Sequence, residues 1–295
     1  MMAKKSEEKN SKEENNPETN SSGINITVIG IGECGRDAVN YMIDCELSDV
    51  TFIAMDTDAE DLEQKSKAPY KIYVGKIPGG DPETVLLGAE ENLQEIKTAI
   101  QEADVLIIAY LGDGIGTAAA VLLAKIAREL GTLTIGLVTA PFSFEGKKRK
   151  DYAKQGLDYL KDYLDAVVVL PLDKLLVRED PGKNMRDLFD YYYDFLKESV
   201  QSINEIISDT SFINVDFEDL KATLSKQGEI FIGFGRGKGE GRVNEAYKSA
   251  VYDSMLGTSV TGAKRILTVT TGFVSSVHRK RLNKTQIKSC VENAP

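Results

Sequence analysis

Two glycine loops each lie between an apolar run and a helical pattern, and this repeated arrangement constrains the fold more than any other feature. The first loop is Gly30-Ile-Gly32-Glu-Cys-Gly35, which follows Ile26, Val28 and Ile29 and precedes a stripe of Ala38, Val39, Met42 and Ile43. The second is Gly112-Asp-Gly114-Ile-Gly116-Thr117, which follows the run 104–111 and precedes Ala119, Leu122, Leu123, Ile126 and Leu130. Residues 50–55, 71–74, 132–139 and 166–170 read as further strands. Strands without polar alternation are buried on both faces, as in a parallel sheet covered by helices. The expected fold class is therefore α/β, a Rossmann-like parallel sheet with helices on both faces. Ligands in such sheets bind beyond the carboxyl ends of the strands, where both glycine loops fall.

A long helix is expected over 184–207, with Leu188, Tyr192, Phe195, Ile203 and Ile206 as its apolar stripe. After it the pattern predicts a short helix from Glu218, strands at 229–234 and 265–270, and a helix at 243–255 between them. This makes a partial α+β unit at the C-terminal end.

Composition narrows the chemistry. The 295 residues carry 36 Lys+Arg against 46 Asp+Glu, a formal net charge of -10 that disfavours nucleic acid as a partner. The basic cluster His278-Arg279-Lys280-Arg281 reads as a solvated tail. With 1 His and 3 Cys the chain has no disulfide framework, no zinc site of the usual type and no core histidine for a Ser-His pair. No metal-ligating set is expected. The polar, charged start is not a secretory signal and no apolar run can span a bilayer, so the expectation is a soluble cytoplasmic protein.

The first loop is a full GxGxxG, with Asp56 ending the next strand about twenty residues beyond its third glycine. It reads either as a dinucleotide site or as a tight strand-to-helix turn without a ligand. Two such loops on one sheet edge suggest a polyphosphate cradle, although Asp113 sets a carboxylate among phosphate-facing amides and so calls for a cation. Asn214-Val-Asp216-Phe-Glu-Asp219 either polarises a water or caps the following helix.

Together with Val138-Thr-Ala-Pro-Phe-Ser-Phe-Glu-Gly-Lys-Lys-Arg149 and Leu170-Pro-Leu-Asp-Lys-Leu-Leu176, these segments resemble FtsZ, the prokaryotic cell-division GTPase of the tubulin superfamily, over residues 24–272. The resemblance implies GTP or GDP with Mg²⁺ as ligands. It places Gly30, Gly32, Gly35 and Asp58 in nucleotide loops, and Gly112, Gly114, Gly116 and Thr117 in the phosphate motif. It further implies that Glu145 and Arg149 contact the ribose and nucleotide, and that Phe189 and Asp194 stack on and hydrogen-bond the guanine. Asn214, Asp216 and Asp219 would activate water on a neighbouring subunit's nucleotide. Asp113, Ile115 and Ala118 depart from the family's phosphate loop, where Gly, Thr and Gly stand. The implied division is a polar tail at 1–22, a GTP-binding domain at 23–183, a central helix and loop at 184–213, and a truncated C-terminal domain at 214–295.

The long helix adds a geometric argument. About twenty residues at 1.5 Å each separate Phe189 from the acidic loop by roughly 30 Å, so these carboxylates reach a nucleotide only across a head-to-tail junction. The expected function is a filament-forming GTPase in cell division or a related cytoskeletal role, with a homopolymer or a second FtsZ-family chain as partner. A non-hydrolysing structural paralogue and an NAD-dependent Rossmann oxidoreductase are the competing readings.

Overall fold

The computed structural model describes residues 23–75, 92–111, 114–176, 184–207, 217–252, 255 and 260–268. Its centre is a parallel sheet of seven strands: β1 (Ile26–Ile31), β2 (Val50–Asp56), β3 (Tyr70–Tyr73), β4 (Val105–Leu111), β5 (Leu133–Ala140), β6 (Ala166–Pro171) and β7 (Gly228–Glu229). The spatial order is β3-β2-β1-β4-β5-β6-β7, so the winding reverses between β1 and β4. Each strand pair is parallel, and β1 is in register with β2 on one side and β4 on the other. The crevice at such a reversal lies beyond the strand carboxyl ends.

The helices are α1 (Gly32–Asp44), α2 (Ala59–Lys65), α3 (Leu93–Ile100), α4 (Gly114–Leu130), α5 (Lys147–Leu160), α6 (Asp173–Leu176), α7 (Met185–Ile207), α8 (Phe217–Leu224) and α9 (Arg242–Val251). All six residues of β1 are buried, Thr27 among them, as expected of a strand covered on both faces. Ile26 and Val28 face a core shared with α1 and α7, whereas Ile29 and Ile31 face a second core with α3, α4 and α5. Two helical layers thus enclose the sheet, in agreement with the expected fold class.

Helix α7 has 23 residues, about 34 Å at the usual rise, and runs the full depth of the sheet. Near its start the Tyr192 hydroxyl shares a 2.6 Å hydrogen bond with Thr139 Oγ1 at the carboxyl end of β5. Near its end Asn204 Nδ2 donates to the Ser48 carbonyl at 3.2 Å, just before β2 begins. One helix therefore connects the two opposite edges.

The C-terminal unit departs from expectation. Pairing with β6 is confined to Gly228 and Glu229, apart from one further bond from Ile230 N to Val167 O at 2.8 Å. The remainder of the expected strand at 229–234 leaves the sheet. A Cβ at Gly233, Gly235 or Gly237 would be driven into the carbonyl oxygen of Ala250, Ala246 or Arg242, so this extended segment lies directly on the backbone of α9. Residues 265–268 carry no strand pairing, and 269–270 of that expected strand lie outside the described residues, as do residues 1–22 and the cluster at 278–281. Among the described residues no helix is long and apolar enough to cross a membrane.

Candidate functional site

The first glycine loop is closed by its own packing. A Cβ on Gly30 would collide with the Gly35 carbonyl, and one on Gly35 would come within 2.5 Å of the Ala109 oxygen on β4. These two glycines hold the β1–α1 turn tightly against the next strand. Gly32 differs: its φ of +68° favours glycine, and a Cβ there would meet nothing within 4 Å, so it faces open space. Ile31 occupies the N-cap of α1 and supplies no side-chain cap bond. A 13-residue helix with an uncapped first turn beside an open glycine has the donor set an anion requires.

Arg36 follows at once and is only 2% exposed. Its guanidinium donates to Asp37 Oδ1 at 3.1 and 3.2 Å and to Asp61 Oδ2 at 3.5 Å, and lies 4.0 Å from Asp56 Oδ2. From the sequence Arg36 reads, with Glu33 and Cys34, only as an interruption of the loop's glycine run; its place directly behind the third glycine, on the buried stripe of α1, is the signal for a buried cation. Asp56 also accepts from Thr57 N at 2.7 Å and Asp58 N at 3.3 Å. A carboxylate engaged by its own turn and by Arg36 is poorly placed to read the ribose of a dinucleotide, which weakens the oxidoreductase reading. Asp58 Oδ1 accepts from Glu60 N and Asp61 N, both at 3.0 Å, and so caps α2.

In the second loop Gly112 lies outside the described residues, as does Asp113, while Gly114 and Gly116 open α4. Thr117 is 3% exposed, and its Oγ1 has no partner among the described residues. Its side chain meets α5, since a Cβ on Gly156 would stand 2.9 Å from Thr117 Oγ1 and still closer to its methyl group. Thr117 therefore uses its side chain to pack two helices together.

Glu145 and Arg149 are brought together at the carboxyl end of β5. Glu145 Oε1 accepts from Phe142 N at 2.7 Å and Oε2 pairs with Arg149 at 3.1 Å. Phe142 meets Phe189 edge to face at a centroid distance of 6.3 Å, which joins this turn to the start of α7. Between Phe189 and Asp194 stands Tyr193, whose ring lies 6.3 Å from Phe189 and 5.7 Å from Tyr41 of α1. Burial, followed by the nearby Cys34, Asp37 and Glu33, pushes the Tyr193 phenol well above its ordinary value. Asp194 Oδ1 accepts from Tyr41 at 2.8 Å and from Lys197 Nζ at 3.0 Å, and the side chain remains 47% exposed. Asp187, Asp190 and Tyr191 join Asp194 around an open cavity of about 280 Å³.

Residues 25–178 match the model of the Tubulin/FtsZ family, GTPase domain. The structure of the empty FtsZ dimer of M. jannaschii is 34% identical, covering 79% of this chain and 69% of that one, with a TM-score of 0.70. The chain belongs to the Tubulin/FtsZ family. A W319Y mutant of the same FtsZ matches at a TM-score of 0.71 with 34% identity, over 79% of this chain and 72% of that one. The GTPγS-bound CetZ2 protofilament of Haloferax volcanii shares the fold at a TM-score of 0.60, with 20% identity over 74% of this chain and 68% of that one.

Against this family frame, the residues gathered at the carboxyl edge are Gly30, Gly32, Gly35, Asp58, Gly114, Gly116, Thr117, Glu145, Arg149, Phe189 and Asp194. Asp219 stands apart from them, in the first turn of α8. That helix follows the far end of α7 and returns the chain to the amino end of β6, where Gln227 N donates to Asp165 O at 2.8 Å. Asn214 and Asp216 lie outside the described residues. Among the described residues no group of three or more His, Cys, Asp or Glu side chains could hold a metal ion. Sequence reasoning also missed Tyr41, which reaches Asp194 from across the α1–α7 contact, and Lys197, which reaches it from one turn along α7.

Proposed function

We propose that this chain is a GTP-binding, filament-forming GTPase whose active site is completed at the junction between two subunits. The observation that carries this reading is the span of α7. Phe189 and Asp194 lie at its ligand-edge end, while Asp219 follows its far end at the opposite side of the sheet. Asp219 thus serves a neighbour's nucleotide in a head-to-tail stack, a heterologous contact that repeats without closing. Membership of the Tubulin/FtsZ family and the protofilament described for CetZ2 support the same assembly.

In this reading the first turns of α1 and α4 cradle the phosphates through backbone N–H groups and the open Gly32. Arg149, oriented by Glu145, holds the ribose side, and Phe189 and Asp194 receive the base. Mg²⁺ would neutralise the phosphate charge when bound. Asn214, Asp216 and Asp219 of the neighbour orient a water for in-line attack on the γ-phosphorus; the bond from that phosphorus to the β–γ bridging oxygen breaks, leaving GDP and phosphate. A carboxylate of the loop accepts the proton that the water loses. The setting is the cytoplasm, in cell division or a related cytoskeletal process.

The test mixes two inactive proteins. Asp219→Ala keeps its own nucleotide site, and the double variant Asp194→Ala, Arg149→Ala keeps its acidic loop. Mixed filaments should recover GTP turnover that neither partner has alone. Turnover independent of protein concentration, with no recovery on mixing, would defeat the shared site. A second reading, a structural paralogue that polymerises without hydrolysis, is favoured by Asp113, Ile115 and Ala118 in the phosphate loop. It predicts assembly in all these proteins and phosphate release in none.

A further inference from the structure

We infer that Tyr41 and Lys197 restrict what Asp194 can read, so that the site accepts 6-oxopurine nucleotides as a class, hypoxanthine as readily as guanine. The inference rests on the assignment of Phe189 and Asp194 to the base. A carboxylate has two oxygens and about four acceptor positions in all. In this structure one oxygen, Oδ1, already takes two donors, Tyr41 at 2.8 Å and Lys197 at 3.0 Å. Only Oδ2 is left to a ligand.

Guanine presents two adjacent donors, N1–H and the 2-amino group, and satisfying both side by side calls for both carboxylate oxygens. With Oδ1 occupied, the base is read by a single bond from N1–H. Hypoxanthine carries the same N1–H and lacks only the amino group, so it loses little. Adenine has no N1–H and stays excluded.

Two features make the Tyr41 contact a persistent one, and a third does the same for Lys197. Burial, together with the Asp194 carboxylate, raises the Tyr41 phenol well above its ordinary value, so it remains a donor at neutral pH. The Tyr41 ring is supported by Tyr193 at 5.7 Å, and Tyr193 in turn by Phe189 at 6.3 Å. Lys197 lies three residues along the same helix from Asp194, so its hold on Oδ1 is local and independent of Tyr41.

The experiment is calorimetric titration of the full chain and its variants with GDP, IDP and ADP. The unaltered protein should bind GDP and IDP within about twofold of each other, and ADP far more weakly. Tyr41→Phe frees one acceptor position on Oδ1 and should tighten GDP about fivefold while leaving IDP unchanged, the effect expected of one added hydrogen bond of ordinary strength at a half-exposed carboxylate. Lys197→Met frees the other position and should move the GDP-to-IDP ratio in the same direction, a readout that general loosening of α7 would not produce. A preference for GDP over IDP of about tenfold or more in the unaltered protein, or a ratio unmoved by Tyr41→Phe, would overturn the inference and leave the base site standing. ADP binding as tightly as GDP, or binding of none of the three, would overturn the base-site assignment itself.

Discussion

Thr139 and Tyr192 share a 2.6 Å hydrogen bond with both residues wholly shielded from solvent. The contact fastens the ligand-edge end of α7 to β5, so the position of Phe189 and Asp194 depends on it. Tyr192→Phe removes one hydroxyl and leaves the Thr139 hydroxyl buried without this partner. The expected loss is about 1–2 kcal/mol, read as a lowered urea midpoint with an unchanged slope.

Alkaline pH should destabilise the same region. The phenols of Tyr41, Tyr192 and Tyr193 are all raised above the ordinary 10.0, in each case first by burial. A folded state that holds protons more tightly than the unfolded chain is favoured below the unfolded value. That advantage is lost as pH rises above about 10. Urea midpoints should therefore fall with pH above 10, and phenolate absorbance should grow together with unfolding. Tyr192→Phe should make that fall shallower.

Helix α5 should tolerate no side chain at Gly156. A Cβ there would press into the Thr117 side chain, so Gly156→Ala should cost about 1–3 kcal/mol despite the better helix propensity of alanine. Thr117→Ala in the same protein removes the obstructing methyl and hydroxyl and should restore part of the loss. Non-additivity in a double-mutant cycle checks the contact.

Arg36→Met should be more harmful than an exposed charge change. It removes the buried cation that Asp37, Asp56 and Asp61 share, and the expected loss is about 2–3 kcal/mol, since these carboxylates are partly solvated. Part of the loss should shrink at acid pH, because Lys65 first and Arg36 further hold the Asp61 carboxyl below its ordinary value, and the stability this gives is lost as Asp61 is protonated. Thermal melts at neutral and acid pH would reveal a pH-independent loss if the arginine acted by packing alone.

Asp113→Gly should tighten GTP binding and weaken its dependence on magnesium, because a carboxylate in a phosphate loop repels the ligand unless a cation intervenes. Titrations with and without Mg²⁺ check both parts. Equal affinities in all four conditions would remove Asp113 from the ligand's surroundings.

Much of this molecule could be read from the chain alone, for identifiable reasons. The strands β1, β4, β5 and β6 are buried on both faces, and such strands are almost wholly apolar, with buried threonines (Thr27, Thr134, Thr139) as their polar members. Helix α7 carries its buried residues at helical spacing for its whole length. Asp58 was different: an Asp two residues ahead of a Glu and three ahead of another Asp caps a helix whatever else it does, and the structure shows that cap. The pairings of Arg36 with Asp61 and of Tyr41 with Asp194 were missed because these partners lie 25 and 153 residues away. Neither helical nor strand periodicity encodes such pairings. Residues 230–234 read as a strand because Ile230, Phe231, Ile232 and Phe234 suit one; Gly233 among them, with Gly235 and Gly237 just beyond, favours a helix backbone as neighbour over a further strand of the sheet.

That glycine series has a geometric consequence of its own. Two extended residues advance about 6.6 Å and four helical residues about 6.0 Å, so Gly233, Gly235 and Gly237 mesh with Ala250, Ala246 and Arg242 like teeth on a rack. The fit works at one phase only. A single residue inserted between Gly233 and Gly235 would turn the side chains on one side of the insertion by half a period, presenting Phe234 or Arg236 to the helix where a hydrogen atom now stands. Length in this stretch is therefore as tightly fixed as composition, and α9 can slide along its track only by a whole tooth.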